Sequence, residues 1–125
     1  MTDIVTVTFA ADTQNVALAR TVAAAMAARA DLPLDQLEDV RLAVDEAATE
    51  VIASAAEGAT VTCAFDHDDS VLYVTVEAPT TATEPPSPTS FGWTVLSALV
   101  DSASADIVDG VMSIRMKVSS NLVDV

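Results

Sequence analysis

Between Leu37 and Ala55 the apolar residues Leu37, Val40, Val44, Ala47, Val51 and Ala55 recur at intervals of three and four. That spacing predicts one long helix over residues 35–56, ending before Gly58 and carrying a single apolar face. Such a helix cannot stand alone, because its apolar side has to be covered by another layer. The chain supplies that layer. Residues 3–9 alternate apolar and β-branched polar residues, the mark of a strand with one buried face, and 60–66, 70–77, 104–108 and 111–118 also read as strands. A first helix is expected over 13–29, capped by Asp12, with an apolar stripe of Val16, Ala19, Val22, Ala23 and Met26. A third helix is expected to start at Phe91, where Val95 and Leu99, widened by Leu96 and Val100, repeat the helical spacing.

The connections are legible too. Asp31 to Pro33 breaks the chain between the first two helices. The polar run His67 to Ser70 is expected as a turn, and Asp109-Gly110 as another. Residues 79–90, PTTATEPPSPTS, hold four of the five prolines and are expected as an extended loop. Residues 119–125 are expected to form a flexible tail. The order is β-α-α-β-β-α-β-β. It implies one domain over 1–125, folded as a two-layer α/β sandwich: a mixed, mainly antiparallel sheet covered by helices on one face.

Composition narrows the function. The net charge is −14, from 19 acidic and 5 basic residues, which repels nucleic acid and anionic membranes and suits a basic protein partner. No apolar run approaches the length of a membrane span and no basic leader opens the chain, so a cytoplasmic protein is expected. Cys63 stands alone in an alternating stretch and reads as a core thiol. His67 reads as a solvated turn residue. No Cys/His cluster offers a zinc site, and Phe91 and Trp93 read as core or loop-packing groups.

The second helix carries an unusual feature. At about 100° per residue, Asp35, Asp39, Glu46 and Glu50 fall together opposite the apolar face. Like charges one turn apart cost a helix a few tenths of a kcal/mol. Either the face is simply solvated, or it is a site whose carboxylates hold a cation, activate a nucleophile or meet a basic partner.

The stretch LPLDQLEDVRLAVDEAATEVI resembles the helix bearing the E-x-x-x-N motif of the RsbW-like anti-sigma factor serine kinases, in the GHKL ATPase superfamily. SFGWTVLSALVDSASADIVDGVMSIRMKV resembles their final segment, and the similarity covers residues 3–118. Alanine-rich members of actinobacterial type are the most similar. The resemblance implies an ATPase-like α/β sandwich. It places Glu46 where the family has its general base, and Glu50 where the family has a magnesium-binding asparagine. Ala78 stands in place of the adenine-reading Asp and Thr80 in place of a glycine, while Glu77, one residue away, belongs to the other face of its strand. Only Gly92, at a helix entrance, could offer amides to phosphate, because Gly58 and Gly110 lie far from it in the chain. In place of the ATP lid stands the proline-rich loop.

What the resemblance implies is an anti-sigma regulator that binds a sigma factor, a STAS-type anti-anti-sigma protein or both, with Mg-ATP binding lost or weak. Arg20, Asp39, Glu46 and Glu50 are the expected partner contacts. The first alternative is an active serine kinase, with Glu46 as base and Glu50 on magnesium. The second is a dimerising or ligand-sensing module unrelated to sigma factors, with the alanine-rich first helix as the surface of a homodimer.

Overall fold

The computed structural model describes residues 4–122. Its elements are β1 (Val5–Ala10), α1 (Val16–Arg29), α2 (Leu34–Ala53), β2 (Thr60–Asp68), β3 (Val71–Pro79), α3 (Phe91–Leu99), β4 (Ser102–Val108) and β5 (Val111–Ser119). This is the expected order. The strands form one sheet in the order β1-β2-β3-β5-β4, and every pairing is antiparallel. The sheet is therefore not mixed. Each of its two hairpins is closed by a tight turn, and no connection has to cross over between parallel neighbours.

Alternate residues of the three central strands build the core. In register across the sheet, Phe65, Val74 and Met116 form one row and Cys63, Val76 and Ile114 the next, all buried. The helices lie on this side: α1 and α2 over β2, α2 also over β3 and β5, and α3 beside α2 and β4. Helix α2 contributes Val40, Val44, Ala47 and Val51, each at most 1% exposed. Burying a valine of this kind stabilises the fold by about 1.5–3 kcal/mol. Cys63 is fully buried, and burial pushes its thiol up to about 12, so it is an inert core group.

Asp12 caps a single 3-10 turn, Thr13–Asn15, from which α1 continues. The small residues Ala19, Ala23 and Ala27 let α1 pack closely, while Ala17, Leu18, Thr21, Ala25 and Ala28 face outward. Helix α2 ends at Ala53, earlier than its apolar pattern suggests. The next residues pair with the exit of β3: Ala56 N donates to Pro79 O at 2.9 Å, and Ala55 bridges Thr80.

Two boundaries shift. The first hairpin turns at Asp69 and Ser70, both with positive φ (47° and 65°) as a two-residue type I′ turn requires. His67 is therefore not a turn residue; it is half-buried in β2 opposite Leu72. The expected loop at 79–90 starts later, since Pro79 pairs with Val111 and ends β3. At the other end of the chain, Gln36 Nε2 donates to Ser119 O and Asn121 N donates to Gln36 Oε1, both at 2.8 Å, so the start of the expected tail is tied to α2. Residues 123–125 and Asp3 lie outside the described residues.

Candidate functional site

The N-terminus of α3 rests against the acidic side of α2. Ser90 fixes this first turn: its Oγ accepts from Trp93 N at 3.2 Å, and its carbonyl accepts from Thr94 N at 3.0 Å. The first-turn amides of Phe91 and Gly92 have no partner within the helix. Gly92 allows the two helices to come very close. A Cβ at this position would lie 2.5 Å from Glu50 Oε1 and 3.3 Å from Glu46 Oε2. Two carboxylates and one glycine, 42 to 46 residues apart in sequence, are thus brought together.

The electrostatics oppose each other here. Negative charge at the start of α3 has the favourable sign for the helix dipole. Burial raises the pKa of Glu46, and the neighbouring charges of Asp45 and Glu50 raise it further. The site already holds more negative charge than it solvates well.

The remaining expected site residues lie elsewhere. Asp39 is half-buried on α2, about 10 Å along the helix from Glu46. Arg20 is on α1, and its Nη1 donates to Asp45 Oδ2 at 2.7 Å across a cleft of about 490 Å³ between the two helices. Arg41 meets Glu38 at 3.2 Å, and among the described residues no base pairs with Glu46 or Glu50. The sequence reading did not single out Asp45, which both holds Arg20 and perturbs Glu46. Only the packing of α1 on α2 reveals it, since the pair spans 25 residues. Phe91 corrects an expectation: it is 83% exposed and belongs to no core, whereas Trp93 packs against the buried cluster. One turn into α3, Leu96 fills the core position completely.

Whether these groups suit a triphosphate with magnesium can be judged from the donors present. Glu50 could ligate a hard cation. The Glu50 and Glu46 carboxylates, however, already lie against Gly92 in the first turn of α3, and their charge would repel a phosphate there. Pro85, Pro86 and Pro88 bring no N–H groups from the loop. Gly58 and Gly110 are spent on turns at φ 75°. Where adenine would be read, Ala78 is buried opposite Met112, and Glu77 lies on the other face, accepting from Ser113 Oγ at 2.9 Å. This set of residues does not fit the group. Among the described residues, no three His, Cys, Asp or Glu side chains cluster as metal ligands, and no helix is long and apolar enough to cross a membrane.

Comparison with known proteins agrees with the architecture. Residues 9–118 match the model of the histidine kinase-like ATPase domain. Two proteins of Mycobacterium tuberculosis, the Anti-sigma-F factor RsbW of strain CDC 1551 / Oshkosh and that of strain ATCC 25618 / H37Rv, are each 39% identical over 92 residues. The matched stretch covers 74% of this chain and 55% of each relative, so the chain spans little more than half the length of the curated relatives it matches.

Proposed function

Since this chain belongs to the histidine kinase-like ATPase domain family, we propose that it acts in the cytoplasm as an anti-sigma regulator with weak or lost Mg-ATP binding. Its partners in this reading are a sigma factor, a STAS-type anti-anti-sigma protein, or both. The relatives' name supports the anti-sigma role. The observation that carries the loss of nucleotide is the Glu50 carboxylate lodged against Gly92. A carboxylate held there sets negative charge beside the helix entrance a phosphate would have to use, and Glu46 beside it adds a second like charge. The acid-rich side of α2 instead suits the basic surface with which a sigma factor meets DNA. Arg20, Asp39, Glu46 and Glu50 are the contacts this reading names; Arg20 has to leave Asp45 to take part. A homodimer through the outward alanines of α1 belongs to the same reading.

The test is a titration of the purified chain with a panel of purified sigma factors and STAS proteins, followed by run-off transcription. Saturable binding and repression are expected with at least one sigma factor; absence of binding to every member rejects the role. One observation favours the kinase alternative, namely the convergence of Glu46, Glu50 and Gly92 on one spot. Calorimetry with millimolar Mg-ATP decides between them. The regulator gives little or no binding heat and no labelled STAS protein, whereas a kinase gives both, and Glu46→Gln then loses the label while keeping the heat.

A further inference from the structure

The core leaves one large aromatic unused. Phe91 is 83% exposed, although it is held in a well-defined position by the Ser90 cap and by Gly92 packed on Glu46 and Glu50. Single exposed apolar residues are ordinary on a protein surface. This one has company: Leu42, 53% exposed, lies on α2 one turn before Glu46, which is one turn before Glu50. Asp39 precedes Leu42 on the same side. The α2 ridge they occupy runs between two markers, the Arg20–Asp45 pair on its α1 flank and Gly92 on its α3 flank. Leu42 on it faces solvent, while Glu46 and Glu50 are half-buried where the start of α3, next to Phe91, meets them.

We propose that Phe91 and Leu42 are the apolar anchors of a docking surface for a basic amphipathic helix, with Asp39, Glu46 and Glu50 as its charged border. The proposal rests on the anti-sigma reading and names the surface that reading uses. Charge decides the occupant. Among the described residues no base pairs with Asp39, Glu46 or Glu50, so the ridge carries one sign of charge beside two apolar groups. A second copy of this chain, at −14, would bring like charge to it, and nucleic acid or a nucleotide would do the same. A helix with aliphatic residues three and four apart and Lys or Arg on either side satisfies both parts of the surface. Aromatic anchors of this kind dominate binding energy where charged rims set rate and salt dependence.

The experiment uses the purified full-length sigma factor retained in the titration above. Phe91→Ala should weaken its affinity about tenfold or more, and Leu42→Ala severalfold, with the salt dependence of wild type. Phe91→Trp should keep the affinity. The pair Glu46→Gln with Glu50→Gln should flatten the salt dependence instead. Unchanged melting temperatures for Phe91→Ala and Leu42→Ala show that folding is not the cause. If a sigma factor binds and both alanine variants stay within about twofold of wild type, the proposal is overturned while the anti-sigma reading stands. Loss of Mg-ATP affinity in Phe91→Ala with unchanged sigma-factor affinity overturns it as well. If no sigma factor binds, both fail together.

Discussion

The two sides of α2 follow different rules. Toward the sheet, Val40, Val44, Ala47 and Val51 are almost wholly buried, and their contacts tolerate neither charge nor change of volume. Toward α3, Glu46 and Glu50 are half-buried, mutually repelling and pressed on a glycine. One helix thus carries a side chosen by packing and a side that is electrostatically uncomfortable. Packing accounts for Gly92, which lets the two helices approach, but not for two like charges beside it, and that difference is what the proposed partner surface draws on.

The contrast can be broken most severely at its packed side. Val51→Asp places an unpaired charge in the core and should cost at least about 3–5 kcal/mol, abolishing cooperative melting by circular dichroism. Asp39→Val on the outer side should change stability by no more than about 0.5 kcal/mol. Next in size comes the same contrast within α3. Leu96→Ala should lose about 2–5 kcal/mol in urea unfolding, whereas Phe91→Ala should lose less than about 0.5 kcal/mol.

A double-mutant cycle sharpens the charged side. In wild type, Gly92→Ala has to displace the Glu50 carboxylate. In a Glu50→Ala background the same change should cost at least about 0.5 kcal/mol less, because only the looser Glu46 contact at 3.3 Å then remains to be relieved. Additive effects in the cycle would show that the Glu50 carboxylate does not lie against position 92.

The smallest effect is the most informative about charge. Burial, then Asp45, then Glu50 raise the Glu46 pKa, so the folded chain holds this proton more tightly than the unfolded chain does. The resulting cost is fully present above the raised folded-state value and absent below the ordinary carboxyl value. Glu46→Gln should therefore stabilise the protein by about 0.2–0.5 kcal/mol near neutral pH. That gain should close as pH falls through the carboxyl range. A gap that widens on acidification reverses the assignment.

Most of the framework could be read before any coordinates, because burial periodicity and turn chemistry are local. The Asp109-Gly110 turn was legible since glycine suits its positive φ. The turn at Asp69-Ser70 was harder: His67 and Asp68 are polar and read as part of the turn, although they continue β2. Only the pairing of Phe65 with Val74 counts the residues out to a two-residue turn. Of the site, the Glu46–Glu50 spacing was visible in the helix pattern, and Gly92 was visible as a glycine at a helix entrance. Their contact was not, since it depends on how α3 packs. Nor was the exposure of Phe91: its spacing with Val95 and Leu99 looks like a buried stripe, yet the cap at Ser90 turns the first residue of the helix outward.

The proline-rich segment leaves the sheet from a firm post. Thr80 Oγ1 donates to Ser54 O at 2.8 Å, and Thr81 N donates to the same carbonyl at 2.9 Å, directly behind the last turn of α2. Its far end is set by the Ser90 cap. A span anchored so at both ends can change length between 83 and 88 while each anchor stays in place, and doubling such a span costs only about 0.6 kcal/mol in closure entropy. Evolution, or an engineer inserting a reporter peptide, can lengthen it there and leave the α2–α3 junction undisturbed.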